Sequence, residues 1–438
     1  MSLTPVLPPV DVRARRRVAW RLLPFVFLLY VIAYIDRVNI SFAGLTMNAD
    51  LGFSDRVFGL GIGIFYVTYV LFEIPGALIV ERWSARKWIA RIMISWGCVT
   101  ILTAFVRTSG QFYAARLLLG AAEASFFPGM IVYLTRWFRL RERSRAIACL
   151  YAAVPMAALA GSPLAGWLLG VRWLQLAGWR WLFVVEGLPA IVLGIVTIFY
   201  LTDRPEQARW LPEDERNWLT SELRLELEAK KRIREYTIGA AFRDKQVLVM
   251  IAAWFLALTG SLSSIYWIPT FVKRLSGLPV KTVTLLLLVP AIVGIASILI
   301  NGWHSDRSAE RRWHTAIPLF AAASLFVCSI VARHHPPVAV VLLCLGSGVF
   351  YAFYPVFWAM PTMLISQSAA AATFGLINSV GQIGGFAGPY AIGFLNNRTH
   401  SLTASFGLIA LVYVLAGSLI LSLKIRNPLA ASQNANAA

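Results

Sequence analysis

Six ionisable residues stand inside runs of apolar residues long enough to cross a bilayer: Asp36, Arg37, Glu73, Arg116, Glu123 and Glu186. An ionised side chain at such a depth costs at least a few kcal/mol unless it has a partner or lines a watery cavity. Four of the six are carboxyls, which can take up and release a proton. The two guanidiniums stay charged and grip a carboxylate with a planar fork. The chemistry open to this set is therefore ion pairing, proton exchange and carboxylate capture. Asp36 and Arg37 are neighbours in Tyr34-Ile-Asp-Arg-Val-Asn-Ile-Ser-Phe-Ala43, directly after the apolar stretch Leu22–Ile35. Arg116 and Glu123 are two turns apart on one helix face, so both can point into one cavity. Depth along the helices pairs Asp36 with Arg116 and Arg37 with Glu123. A carboxyl removed from water holds its proton tightly, and a neighbouring guanidinium loosens it. If a substrate carboxylate takes the guanidinium, the freed carboxyl protonates more easily, so anion and proton loading are coupled.

All six residues precede position 202. The second half of the chain has no ionisable residue inside its apolar runs, and is expected to supply neutral recognition. Asn378 and Gln382 are four apart and share a helix face. Tyr351, Tyr354 and Trp358 repeat at helical spacing, and Tyr266 stands in another apolar run. Amides with aromatic walls suit a compact carboxylate with an apolar or hydroxylated body.

The elements that must position these groups are membrane helices. Of 438 residues, 58% are hydrophobic and only 14% charged, against about a quarter charged in soluble domains. Twelve apolar spans can be drawn: 20–43, 57–80, 87–106, 111–135, 146–170, 179–202, 246–271, 281–303, 313–332, 338–362, 369–395 and 401–423. The net charge of +19 falls in short blocks between spans, as orientation signals do, which argues against a nucleic-acid partner. Arg13–Arg21, Arg82–Arg91, Arg136–Arg145 and Arg307–Arg312 all fall on one side, which places both termini in the cytoplasm. Asp203–Lys245 is the one long polar segment, with a surface helix expected over Pro212–Arg234 as a solvated linker. The four cysteines are scattered singly and the five histidines lack metal-ligand spacing, so neither a disulfide framework nor a metal site is expected. Residues 1–19 do not read as a cleavable signal.

The spans repeat. Glu81-Arg82-Trp-Ser-Ala-Arg86-Lys87 follows the second span, and Asp306-Arg307-Ser-Ala-Glu-Arg311-Arg312 follows the eighth. Gly120 and Pro128 in the fourth match Gly346 and Pro355 in the tenth; Gly161-Ser-Pro163 in the fifth matches Gly388-Pro389 in the eleventh. An even number of spans between copies makes the repeat parallel, with a binding site near the midplane between two halves. The chain divides into 1–202, a six-helix bundle; 203–245, a cytoplasmic linker; and 246–438, a second six-helix bundle. The fold class is all-α membrane protein.

These motifs resemble the major facilitator superfamily, and within it the anion:cation symporter family, from about Arg17 to Arg426. The resemblance rests on the Tyr34–Ala43 stretch, the Glu81–Lys87 loop and Arg116-Leu-Leu-Leu-Gly-Ala-Ala-Glu123-Ala-Ser-Phe-Phe-Pro128-Gly. Gly178-Trp-Arg-Trp-Leu-Phe-Val-Val-Glu186-Gly-Leu-Pro189 and Asn378-Ser-Val-Gly-Gln-Ile-Gly-Gly-Phe-Ala-Gly-Pro389 complete it. Trp358-Ala-Met-Pro361 and the Ala369–Thr373 run are most similar to the bacterial tartrate, phthalate and hydroxyphenylacetate group. The resemblance implies a proton-coupled symporter that imports a small organic anion by alternating access: a tartrate-like acid, an aromatic carboxylate or a sugar acid. It implies proton coupling at Asp36 and Glu123. Substrate contacts are expected from Arg37, Arg116, Tyr34, Asn378, Gln382, Tyr266, Tyr354 and Trp358. Gate contacts are expected from Glu73, Glu81, Arg82, Arg86, Asp306, Arg307 and Arg311, and packing from Glu186. Ser84 and Glu81 depart from the family's usual Gly and Asp, and are expected to preserve a tight turn and a gate contact. The fifth span holds only a fragment of the antiporter-type Gly-Pro motif, which does not favour exchange. A non-transporting sensor or an anion exchanger on the same fold is the alternative. A membrane-embedded enzyme would need a nucleophile–base pair or a metal motif, and neither His-Glu-x-x-His nor Gly-x-Ser-x-Gly with a His partner occurs. No cofactor is expected. The partners expected are the anion, protons and the lipid bilayer, for a monomer in the bacterial inner membrane.

Overall fold

A computed structural model describes residues 9–231, 244–308, 310–361 and 367–423. Among them there is no strand; nearly all lie in helices. The first is the longest. α1 (Val10–Leu51) runs eight residues beyond the expected end at 43 and stops on Gly52, whose φ of +66° and amide bond to the Asn48 carbonyl make a left-handed cap. Its outer turns stay helical because Met47 and its neighbours are still packed against the bundle. α2 (Asp55–Arg82) starts at Ser54, whose hydroxyl accepts from Val57 N at 3.3 Å. α3 (Ala85–Thr103) starts at Ser84 and α4 (Ser109–Glu123) at Thr108, by the same capping chemistry.

The fourth span is broken. α4 ends at Glu123 and α5 (Phe126–Thr135) begins after Ser125, which sits at φ +67°. Pro128 contributes to the break: it has no N–H for the Ala124 carbonyl four residues back, and it sits in the first turn of the new helix, where a proline costs least. Its repeat partner acts alike. Pro355 leaves Tyr351 without an i+4 donor, and the tenth span divides into α13 (Pro336–Val349), a 3-10 turn at Phe350–Ala352, and α14 (Phe353–Ala359). Between these spans lie α6 (Leu140–Leu168), α7 (Gly178–Tyr200), a surface helix α8 (Glu213–Lys231) and α9 (Lys245–Ser276). The eighth span, α10 (Val280–Leu286) and α11 (Leu288–Ser308), is interrupted ahead of Pro290; α12 (Arg312–Val331) is continuous. The eleventh, α15 (Gln367–Gln382) and α16 (Gly384–Thr399), breaks at Ile383, and α17 (Leu402–Ser422) is the last helix among the described residues.

Ten helical stretches among the described residues are long and apolar enough to cross a membrane. They correspond to ten of the expected spans. The remaining two, 87–106 and 369–395, are helical as well: α3 carries Arg86, Lys87 and Arg91 at its start, and α15–α16 is divided. The apolar surface is not all turned inward. Phe199 is 81% exposed and Leu299 66%, the all-round hydrophobicity of helices whose solvent is lipid.

In the first half α1 packs on α6 and α7, α2 on α4, and α3 on α7; in the second, α9 packs on α16 and α17, and α12 on α13 and α17. The halves meet along α2–α16, α1–α9 and α6–α10/α11. Glycines permit the closest of these contacts. A Cβ on Gly59 would lie 2.6 Å from the Pro389 carbonyl oxygen and 3.0 Å from Gly393 Cα. Nearby, Asp55 and Arg274 form a two-pronged pair at 2.6 Å, and Trp267 donates to the Pro389 carbonyl at 3.2 Å. All of this lies at the end of the bundle opposite the arginine blocks.

At the basic end α8 is docked rather than free. Its acidic face meets the arginines of α1 and α6: Asp214 with Arg13 at 2.6 Å, Glu215 with Arg17 at 3.0 Å, Glu222 with Arg139 at 3.1 Å and Glu226 with Arg143 at 2.6 Å. The expectation of a solvated linker is corrected to this extent: the segment's mixed charge finds complementary partners on the first half. Residues 232–243 of the expected linker lie outside the described residues.

Candidate functional site

α1 carries the centre of the site. Arg37 projects from it toward α4 and bonds Glu123 through Nε at 2.8 Å and also through Nη2, both to the same carboxylate oxygen. Glu123 is the last residue of α4, immediately before the break, so its carboxylate sits at the negative end of a half-helix. A cation is needed there, and Arg37 supplies it. The Glu123 side chain is 3% exposed and that of Arg37 16%, so the pair is nearly dry but open on the arginine side. Tyr34 and Tyr69 flank the guanidinium, with ring centroids at 5.4 and 5.2 Å, distances at which a ring face attracts a cation.

Asp36, one residue earlier, faces the other way. It is buried, and its two oxygens accept from Asn39 Nδ2 at 3.0 Å and from the Thr100 hydroxyl of α3 at 2.9 Å. The expected Asp36–Arg116 ion pair is not formed. Arg116 is buried, donates from Nε to the Gly61 carbonyl at 3.1 Å and lies over the Phe65 ring at 4.8 Å. The physical reason is azimuth: adjacent residues on a helix point about 100° apart, so Asp36 and Arg37 cannot both face α4. Depth alone could not choose between them.

The second half meets this centre at two hydrogen bonds. The Tyr66 and Tyr266 hydroxyls lie 2.9 Å apart, joining α2 to α9. Asn378 donates to Glu73 at 3.3 Å, joining α15 to α2. Glu73 is buried, as expected for a contact between halves. Tyr354 bonds the Ser261 hydroxyl at 3.1 Å, and both Tyr354 and Trp358 pack edge-on against Trp254. Gln382, half-buried, ends α15 one residue before the break. Ser264 and Ser347 add a buried hydroxyl pair at 3.0 Å in the same half.

Several of these residues escaped the sequence reading. Tyr66 and Tyr69 stand three apart on α2, and Glu73, already singled out for its charge, lies four beyond Tyr69, a spacing that was legible once neutral side chains are counted beside charged ones. Asn39 lies one turn beyond Asp36 and was legible in the same way. Thr100 and Ser261 carry no such signal.

The loops expected to gate are occupied within each half. Arg86 and Ser84 bind Asp203: the hydroxyl of Ser84 donates to Oδ2 at 2.6 Å, the amide of Arg86 to Oδ1 at 2.9 Å, and the Arg86 side chain approaches at 3.8 Å. Ser84 is extended, with φ −94°, and its hydroxyl also caps α3 by accepting from Lys87 N at 3.1 Å. The turn therefore needs no glycine here, and serine adds a cap. Asp306 pairs with Arg311 at 2.7 Å, and Arg307 lies over Trp303 at 5.5 Å. Arg82 is exposed, beside Leu78, Ile79 and Trp83. The side chain of Glu81 lies outside the described set.

Comparison with known proteins is consistent with this arrangement. A tartrate transporter of Agrobacterium vitis, as that protein is named, is 42% identical over 414 residues, covering 94% of each chain. NicT, a metabolite transport protein of Pseudomonas putida, is 36% identical over 410 residues, covering 93% of this chain and 92% of its own. Among solved structures, a bacterial homologue of the lysosomal transporter Spinster, inward-facing and unoccupied, superposes with a TM-score of 0.73 at 18% identity, over 94% of this chain and 95% of that one. The family model that describes the Major Facilitator Superfamily matches residues 26–389. With its apolar helical bundle, its interrupted spans and the buried charged residues within them, this chain is a membrane transporter belonging to the Major Facilitator Superfamily.

Proposed function

We propose that the protein imports a small organic anion together with protons, in the manner of a tartrate or other carboxylate symporter. One observation carries this reading: the Arg37–Glu123 pair, dry on the glutamate side and open on the arginine side, in the middle of a transporter's bundle. A substrate carboxylate that approaches from the open side competes with Glu123 for the guanidinium. Glu123, left without its cation at a helix C-terminus, then takes a proton. Loading of anion and proton become one event. In this reading Tyr34, Tyr69 and Tyr266 offer hydroxyls and ring faces to the anion, and Asn378, Gln382, Tyr354 and Trp358 meet it from the second half. Asp36 is the second proton-exchanging carboxyl. Arg116 serves to pin α4 to α2 in this conformation.

In this reading 1–202 and 246–438 rock as two halves joined by 203–245, and the protein works as a monomer. The arginine blocks put the basic end in the cytoplasm of a bacterial inner membrane. The Asp55–Arg274 pair and the Gly59–Gly393 contact then close the outer side in this conformation. The relatives named as a tartrate transporter and a metabolite transporter support the substrate class.

The test is uptake into right-side-out vesicles. Radiolabelled L-tartrate should accumulate faster with an acid exterior, and a protonophore should collapse the accumulation. Accumulation of labelled anion indifferent to both treatments rejects proton symport and leaves exchange. If L-tartrate and a panel of aromatic and sugar acids are all ignored, the organic-anion reading fails.

A further inference from the structure

Glu186, on α7, takes no part in the mechanism above, yet it is buried beside the charge centre. α7 and α3 approach each other closely at Gly97 and Gly187, where a Cβ on Gly187 would lie 2.9 Å from the Gly97 carbonyl oxygen and 3.2 Å from Thr100 Cβ. That approach brings Gly187, and with it the buried Glu186, beside Thr100 and the Asp36–Asn39 pair that Thr100 bonds, where α7 packs along α1. Two atoms in this cluster are buried and lack a hydrogen-bond partner: Glu186 Oε2 and Asn39 Oδ1. A carboxylate oxygen and an amide oxygen are both acceptors, so neither can satisfy the other. An ionised Glu186 would also stand beside a second carboxyl, Asp36. The charged groups that face Asp36 from α4 are Arg116 and Glu123, each already bonded elsewhere, and α3 contributes the neutral Thr100.

A single hydrogen resolves all of this. We propose that Glu186 is a standing neutral carboxylic acid that donates its proton to Asn39 Oδ1, and so holds the Asn39 amide with its N–H on Asp36. Glu186 is then a positioning residue for the Asp36 proton site, not a carrier of the transported proton. The chain of donors runs in one direction: Glu186 to Asn39, Asn39 to Asp36 at 3.0 Å, with Thr100 completing the other oxygen. Asn39 is fixed in one of its two amide orientations by the acid behind it. The inference rests on the reading that Asp36 exchanges a proton during transport.

Glu186→Gln and Glu186→Ala separate the possibilities. A glutamine amide donates to Asn39 Oδ1 as the acid does, so Glu186→Gln should keep wild-type uptake, KM and pH profile. In Glu186→Ala the Asn39 amide is free to turn, and Asp36 loses a donor. A carboxylate that loses a donor holds its proton more tightly. The pH profile of uptake should therefore move toward alkaline pH, by about one unit for one hydrogen bond, with KM little changed. Infrared difference spectra of the purified protein at neutral pH supply a readout independent of transport. The carbonyl stretch of a neutral carboxylic acid should be present in the unsubstituted protein and lost in Glu186→Gln. If that band is absent, or survives the substitution, Glu186 is not the neutral acid and the inference is overturned. It is equally overturned if Glu186→Gln is uncoupled or shifts the pH profile as alanine does. Uptake that proves indifferent to a proton gradient would instead sink the symport reading, with the infrared band still deciding the state of Glu186.

Discussion

At the scale of residues, the Arg37–Glu123 pair makes demands that differ on its two sides. Arg37 uses two nitrogens on one carboxylate oxygen between two tyrosine rings. A lysine keeps the charge but not the fork or the flat face, so Arg37→Lys should lose most uptake. Near-normal initial rates in vesicles would show that charge alone suffices. Removing one partner of a buried pair costs about 3–5 kcal/mol because the other is left uncompensated, so Arg37→Ala should also lower the melting temperature. Glu123→Gln mimics the protonated carboxyl. It is expected to bind substrate and exchange labelled for unlabelled anion, while failing to accumulate it against a gradient. Counterflow measured beside net uptake checks this, and accumulation that persists would remove Glu123 from the coupling. Away from the centre, Ser84 caps α3 and holds Asp203. Ser84→Ala should destabilise the protein by about 1 kcal/mol, read as a lower denaturation midpoint in detergent.

Among the elements, the interrupted helices matter most. At the break after Glu123, Pro128 denies the Ala124 carbonyl its helical donor, and the break puts the Glu123 carboxyl at a helix end facing Arg37. Pro128→Ala restores the missing N–H and should favour a continuous α4–α5. Raised thermal stability with reduced uptake is the expected pair of results; unchanged uptake would show that the break has no functional part. Across the halves, Asn378 gives its amide to Glu73. Its loss removes a hydrogen bond to a carboxyl, worth about 1.5–3 kcal/mol while that carboxyl is ionised. Asn378→Ala is therefore expected to weaken substrate affinity or the approach of the halves by roughly 10- to 150-fold in the corresponding constant. Equilibrium binding of labelled anion measures it, and wild-type affinity would exclude Asn378 from both roles. Two of the ion pairs that hold α8, Asp214–Arg13 and Glu222–Arg139, are partly exposed, and salt screens these. Limited proteolysis of α8 in detergent should accelerate as salt is raised, and insensitivity to salt would mean that apolar contacts hold it.

For the whole molecule, closure of the end opposite the arginines depends on backbone approaching backbone at Gly59, Pro389 and Gly393. Gly59→Leu cannot close there without displacing main chain. It should abolish net uptake while leaving the protein folded, as judged by an unchanged helical circular-dichroism spectrum and a monodisperse elution profile. Uptake at the normal rate would show that the halves separate and rejoin along another line. The reach of the amino-acid sequence can be stated at this scale too. A run of some 20 apolar residues has to be a membrane helix, because backbone polar groups find no other partners in hydrocarbon, so the helical spans and their order were readable from the chain. The charged residues inside them were readable for the same reason: burial in lipid is costly enough to make each one conspicuous. Depth followed from a fixed rise per residue. Depth gave the Arg37–Glu123 pair, but direction around the helix axis did not follow from it, and that decided that Asp36 turns to Thr100 and Arg116 to Gly61 rather than to each other. Such choices depend on which neighbour stands at each azimuth, and neighbours far apart in the chain, such as Tyr66 with Tyr266 or Glu73 with Asn378, are brought together only when the helices pack.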